Sequence, residues 1–413
     1  MKVPHGPLRS RNFRLLLACN VISVTGTAVA LVAVPFAVLA IGGSAADVGY
    51  VAAAVMVPAL LFPLGGVVGD RLPRHQVMVA ANVLQALAQA VAAVLVLTSR
   101  ARVWELVVLA AARGVGYAFY FPAAEGLLPQ TVPVDQRAAA NAMDRIGRNA
   151  SQIGGSALGG VLVAVAGPGW GLAVDAATFT AAAVLRAGMR FPDLPPVPKT
   201  AMLRDLREGW RDFISRRWLW PIVLAFGLIV AISTAATSVL GPVVAHAQFG
   251  GAGSWGLILA AYAAGAVLGG MVMLRFRPRR MLLAAMLSVP AFSVFLFALA
   301  VPVPVAWVAA AALLAGGCVE VFMVNWATTL QQEIPPAMLS RLSSYDLLGS
   351  FALAPIGAAA AGPAASAFGT PAVLAAGGIL IVLLTAAVLL IPDVRNVRRH
   401  VPVRPGQAGM LMP

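Results

Sequence analysis

The chain alternates long apolar runs with short polar joints. Runs long enough for a membrane-crossing helix sit near 13–41, 47–69, 76–98, 103–124, 146–166, 170–190, 219–246, 254–274, 279–301, 304–326, 346–368 and 371–391. A helix needs about 20 apolar residues to cross a bilayer, so the pattern predicts twelve transmembrane helices. Two pairs of runs are separated only by tight turns, at Gly167-Pro168-Gly169 and Gly369-Thr370-Pro371.

Composition sharpens this reading. Of 413 residues, 60% are apolar and 11% charged, where a soluble domain carries about 25% charged residues. The net charge of +14 invites a nucleic-acid partner, but its distribution argues against one. With the N-terminus inside, 26 of the 29 basic residues fall on the cytoplasmic side, Arg186 and the six between Lys199 and Arg217 among them. Only Arg100 and Arg102 face outside, and Arg113 lies within a span. This asymmetry is the positive-inside rule. It predicts cytoplasmic termini and an anchor against an anionic inner leaflet. Cys19 and Cys318 lie in spans and read as small buried apolar residues, not as a disulfide. The N-terminus has no cleavable signal pattern; its first apolar run starts span one.

The chain is internally duplicated. Shifted by 202 residues, "LLPQTVPVDQRAAANAMDRIG" from Leu127 lies over "TLQQEIPPAMLSRLSSYDLLG" from Thr329, matching Gln130 to Gln332, Pro133 to Pro335 and Asp144 to Asp346. Further on, Gly155, Gly160 and Gly167 match Gly357, Gly362 and Gly369. At a shift of 204, Gly66 meets Gly270 and Arg71 meets Arg275, although Asp70 meets Leu274. The expected organisation is therefore a six-helix bundle over 1–190, a cytoplasmic linker over 191–218, a second six-helix bundle over 219–392 and a cytoplasmic tail over 393–413. Parallel halves with a site between them suit alternating access. In the linker, "FPDLPPVPK" is an extended Pro-rich tether; Leu203, Leu206, Trp210, Phe213 and Ile214 then share one face of an amphipathic helix expected on the inner leaflet.

The joint between runs two and three reads Gly66-x-x-Gly69-Asp70-Arg71-x-Pro73-Arg74-His75. It resembles the signature loop of the major facilitator superfamily, with Pro73 and His75 as departures. "GLLPQTVPVDQRAAANAMDRIGRNASQIGGSALGG" and "WATTLQQEIPPAMLSRLSSYDLLGSFALAPIGA" are similar to its drug and siderophore exporter branch. The resemblance covers nearly the whole chain. It implies an all-α fold of two pseudo-symmetric six-helix bundles.

The physics of that joint suggests a cytoplasmic latch. Asp70 ends a helix, where the macrodipole disfavours a negative charge, so it needs a cation or another helix's N-terminus. Arg71 and Arg74 are near in sequence, and the start of span eleven near Asp346 is the expected docking point. Gly66 and Gly69 would let the halves approach closely. The alternative is a solvated turn obeying the positive-inside rule.

Inside the membrane, Arg113 sits near the middle of span four. An arginine there costs roughly 2.5–3.5 kcal/mol on insertion scales, so it should face a cavity or a partner. By depth, Asp175 in span six is its better match, and Glu320 in span ten is left without a cation. A carboxyl buried without a cation is suited to carry a proton. Glu125, at the end of span four, reads as structural. Because spans one, four, seven and ten, with two, five, eight and eleven, line the cavity in the superfamily, the resemblance makes Asn20, Asn149 and Asn325 the best polar cavity candidates. Tyr117, Tyr120, Phe226, Tyr262 and Trp326 would form an aromatic substrate wall. "GGSALGG" in span five resembles the antiporter signature with Ser156 in place of proline, and Thr25-Gly26-Thr27 lacks the acid that relatives often carry in span one.

The reading is a monomeric inner-membrane exporter of a small amphipathic compound, using alternating access and proton antiport. The alternatives are a narrow-specificity siderophore or biosynthetic-product exporter, and a non-transporting sensor with a transporter fold. A membrane enzyme is disfavoured: His5, His75, His246 and His400 are scattered, and neither metal-ligand spacing nor a phosphate-binding Gly-rich loop occurs. No cofactor is called for.

Overall fold

The computed structural model describes residues 6–125, 127–189 and 210–398. Twelve long helices order them. The first half comprises α1 (Arg11–Ala40), α2 (Ala45–Gly66, continuing to Arg71), α3 (Arg74–Leu97), α4 (Val103–Glu125), α5 (Arg137–Ala166) and α6 (Pro168–Ala187). The second comprises α7 (Leu219–Gln248), α8 (Ala252–Arg275), α9 (Met281–Ala300), α10 (Val305–Glu333), α11 (Pro336–Phe351 and Ala354–Phe368) and α12 (Thr370–Leu389). Eleven of these are long and apolar enough to cross a membrane; α6 is the exception, and it carries Asp175 and Arg186.

Several helices outrun the apolar runs that announced them. α5 starts at Arg137 rather than near 146, α10 reaches Glu333 rather than 326, and α11 begins at Pro336 rather than near 346. Hydropathy fades where a helix leaves hydrocarbon, but backbone hydrogen bonding continues into polar sequence. Asp144 and Asp346 therefore sit well inside their helices, not at helix starts.

The duplication is structural as well as sequential. Gly167 and Gly369 turn the chain between α5 and α6 and between α11 and α12, at φ +90° and +84°. That region favours glycine because it has no Cβ. In each half the second and fourth helices cross on glycine. Gly114 of α4 meets the Val55 carbonyl of α2, and Gly316 of α10 meets the Tyr262 carbonyl of α8. The pair Gly114 and Gly316 obeys the same shift of 202.

The two halves touch at the end of the bundle opposite the termini. Gly49 of α2 lies against the Ala358 carbonyl of α11, and Gly362 of α11 lies against Ala46 of α2. Gly160 of α5 meets Gly256 of α8, whose Cα would lie 2.9 Å from a Cβ at that position. The residues of "GGSALGG" thus serve close packing, since Gly155 and Gly159 seat α5 on α1 in the same way. Along α5 the same stripe changes character: Ser156 is fully buried, but Asn149 is exposed. The helices diverge toward the end that carries the termini.

The described end of the linker, from Trp210, packs onto the second half. Phe213 is buried, its ring 5.9 Å from that of Tyr345, and Arg216 Nη1 donates to the Glu333 carbonyl at 3.0 Å. Phe213 thus meets protein rather than lipid. Leu203 and Leu206 lie outside the described residues.

Candidate functional site

Between the halves lies a cavity of about 490 Å³, within the range of about 300–1,000 Å³ usual for small-molecule sites. Its two walls differ. The first half supplies aliphatic residues of α1 and α2 with Arg113, Asn149 and Gln152. The second half supplies the rings of Phe226, Tyr262, Phe292, Phe295, Phe322 and Phe351. Phe226 and Phe322 stack with centroids 4.5 Å apart and planes 9° from parallel. Ser233, Thr234, Thr237 and Ser238 of α7 add hydroxyls. They flank or occupy a π-helical turn, Ala235–Leu240, a distortion often found at functional sites.

Arg113 reaches the cavity because of its neighbours. Gly114 lets α4 close on α2, and Gly116 lets it close on Gln85 of α3, which fixes the rotation of α4. Behind Arg113 stands Asp175 of α6, fully buried. Arg113 Nη2 is 3.6 Å from Asp175 Oδ2, and Gln89 Nε2 donates to the same oxygen at 2.6 Å. The guanidinium also lies 5.8 Å from the Phe179 ring. Gly26 makes room for this arrangement: a Cβ there would overlap Thr178 and come within 2.9 Å of Asp175 Oδ1. The glycine of Thr25-Gly26-Thr27 is thus what admits the carboxyl from α6.

A second polar network lies nearer the termini. Arg186 Nη2 donates to Asn20 Oδ1 at 2.8 Å and to the Tyr120 hydroxyl at 2.7 Å, with its guanidinium 4.9 Å from the Tyr120 ring centroid. Asn20 Nδ2 donates to Asp144 Oδ1 at 2.7 Å, and Arg148 Nε donates to Asp144 Oδ2 at 2.8 Å. Two expectations need correction here. Arg186 is fully buried, not a loop anchor at the membrane surface, because α6 tucks between α1 and α3. Asn20 and Tyr120 are committed to Arg186 and do not line the cavity.

Three further cavity candidates fall elsewhere. Tyr117 is 44% exposed and packs on Phe62 and Phe121, on the outer side of α4; the rotation that aims Arg113 inward turns Tyr117 outward. Asn325 is buried, donating to the Val321 carbonyl and facing Met273. Trp326 stacks on Phe322 and donates to Asp346 Oδ2 at 2.9 Å, so it supports the wall from behind. Of the set, Asn149, Phe226 and Tyr262 do line the cavity. Glu320 is half-buried beside Gly270 of α8, where a Cβ would lie 3.9 Å from its Oε1. It is outside the cavity lining, although its neighbours Val319 and Phe322 are in it.

Of the proposed latch, Arg71 is exposed and Arg74 half-buried. The surroundings of Gly69 and the side chains of Asp70 and Glu125 lie outside those described. Gly66 brings nothing close: a Cβ there would meet no atom within 4 Å. Its neighbour Gly65 is the contact residue, against the Ala118 carbonyl of α4. Among the described residues Gly66 therefore has no opposing surface.

Sequence reasoning missed Gln152, Phe292, Phe295, Phe322 and the α7 hydroxyls. The latter were findable: Ser233, Thr234, Thr237 and Ser238 are one helical face of an otherwise apolar run. Phe322 and Trp326 are likewise four apart. Arg186 and Asp144 gave no such signal.

A profile described as transmembrane secretion effector matches residues 2–402. The chain is 28% identical to the multidrug efflux pump Tap of Mycolicibacterium fortuitum, over 92% of this chain and 96% of that one. Among solved structures, the nucleoside transporter NupG superposes with a TM-score of 0.75 at 14% identity, covering 92% of this chain and 98% of its own. A bacterial homologue of the human lysosomal transporter Spinster, inward-facing and unoccupied, gives 0.68 at 18% identity, covering 95% and 99%.

Proposed function

The chain belongs to the transmembrane secretion effector family of the major facilitator superfamily, a family of multi-pass membrane transporters, and from that premise we propose that it exports a small amphipathic compound by alternating access, coupled to proton entry. The observation that carries this reading is the cavity between the halves, with glycine contacts packing the halves together at one end. The name of the Mycolicibacterium relative supports outward transport of drug-like molecules.

The termini and linker lie in the cytoplasm on this reading, supported by the basic asymmetry of the chain. The cavity then faces the cytoplasm, and the glycine contacts form the outer seal. Single cysteines at Arg100 and Ser215, both exposed, in a background lacking Cys19 and Cys318, test this. Arg100→Cys should react with an impermeant thiol reagent in intact cells, and Ser215→Cys only after lysis. The reverse pattern overturns the topology.

Glu320 is the proposed proton carrier. It is half-buried at the edge of the cavity wall, where rocking of the halves can change its access, whereas Asp175 is held by Arg113 and Gln89. In proteoliposomes with an imposed pH gradient, the protein should drive uphill efflux of compounds from a dye and antibiotic panel. Glu320→Gln should lose uphill efflux and keep equilibrium exchange. Undiminished accumulation by Glu320→Gln would reassign the carrier; no gradient-driven movement by the parent protein would reject antiport.

A further inference from the structure

The charge of the cavity lining bears on which substrates it can hold. Among the described lining residues there is one ionisable side chain of fixed charge, Arg113, and no carboxylate. Neither of the two nearest acids is part of that lining, although Glu320 acts electrostatically on Tyr262, which is. Asp175 is fully buried behind the guanidinium and receives the Gln89 amide. Glu320 lies against Gly270 on the α8 side, outside the lining. A cation entering here would leave water for a lining that carries a guanidinium and no carboxylate, which is costly.

Arg113 is also rich in unused donors. A guanidinium has five N–H groups in a fixed fork. The ion pair to Asp175, at 3.6 Å, is too long for a hydrogen bond, and Nε is buried without a partner. Neighbouring polar groups point the same way. Asn149 is exposed to the cavity, one helical turn from Gln152. Opposite them, Phe226 is backed by the buried ring of Phe322, so that wall is aromatic and apolar.

Resting on the exporter reading above, we infer that the substrate class is a neutral or anionic amphiphile. Its hydrogen-bond-accepting head, a carboxylate, phenolate or strongly polarised oxo group, lies at Arg113 and Asn149. Its apolar aromatic body lies on the Phe226–Phe322 wall. Lipophilic cations of the same size are excluded.

Three probes that share a triphenyl body test this on the detergent-purified full chain. Triphenylacetate carries an anionic acceptor, triphenylphosphine oxide a neutral one, and methyltriphenylphosphonium a positive charge with no acceptor. Binding is read by calorimetry, which does not depend on transport, so a failure here is separable from a failure of export in liposomes. A charge-assisted hydrogen bond in a dry site contributes about 1.5–3 kcal/mol, so the two acceptors should bind at least about tenfold more tightly than the phosphonium. Removing both buried charges together, Arg113→Met with Asp175→Asn, should erase that preference while all three still bind. Phe226→Ala should weaken all three together. Equal or tighter binding of the phosphonium, binding of none of the probes, or a preference that survives the double variant would each overturn the proposal.

Discussion

The two halves of this transporter share a scaffold and divide the chemistry. In the first, Arg113, Asp175 and Arg186 are drawn into the protein interior. At the shift of 202 their counterparts are Ala315, Gly377 and Val388, and Tyr120 becomes Phe322. The helix link survives the loss of charge. In the first half α3 reaches α6 through Gln89 and the Asp175 carboxylate; in the second, α9 reaches α12 through Ser293, which donates to the Gly378 carbonyl at 2.9 Å. Backbone can therefore replace a carboxylate as the acceptor between these helices. The second half therefore packs its six helices without the charges of the first, of which Arg113 is the one that lines the cavity.

The strongest way to break this comparison is to remove one charge of the pair. Asp175→Asn leaves Arg113 without its anion, and guanidinium cannot neutralise itself by losing a proton. Breaking a buried pair costs about 3–5 kcal/mol, so protein yield and melting temperature in detergent should fall sharply. Arg113→Met added to Asp175→Asn, which brings the site toward the uncharged second half, should recover most of that loss but abolish transport. If the double variant is no more stable than Asp175→Asn alone, the pair is structural.

A second test acts where the halves meet. Gly362→Val places its side chain in the backbone of Ala46. The fold within each half should survive, since this contact lies between them. Closure at that end should fail, so the far end becomes accessible to impermeant reagents and export falls to background. Wild-type transport by this variant would mean that α2 and α11 do not form the seal.

The smallest expected effect concerns Arg186. Its hydrogen-bond partners, Asn20 and Tyr120, are neutral, so its removal strands no hydrogen-bonded counter-charge. Arg186→Met, approaching Val388 of the second half, should change stability by only about 1 kcal/mol in either direction, because well-packed apolar replacements of buried ionic groups are often tolerated. A melting curve that drops as far as that of Asp175→Asn would show that the two networks carry equal weight and would blur the distinction between site and scaffold.

Much of the fold was legible because lipid simplifies the code. Unsatisfied backbone groups are excluded from hydrocarbon, so apolar length alone announces helices. Matched glycines such as Gly167 and Gly369 carried the duplication, because their backbone geometry admits little else. The site was half legible. A lone arginine at mid-membrane depth demands a partner, which marked Arg113 and, by depth, Asp175. Arg186 was read as a surface anchor because it lies near a helix end, where sequence alone cannot tell lipid headgroups from a protein interior.

The sequence by itself determined the number of helices, the internal repeat and the presence of a buried arginine, because each follows from local polarity or from residue identity at fixed spacing. Tertiary structure alone decided which face each helix turns inward. Rotation about a helix axis is set by contacts between glycines and backbones on different helices, such as Gly114 on Val55 and Gly116 on Ala81, and near-uniform hydrophobicity around a helix such as α4 leaves no amphipathic stripe to report it. That rotation sends Arg113 into the cavity and Tyr117, four residues on, out of it.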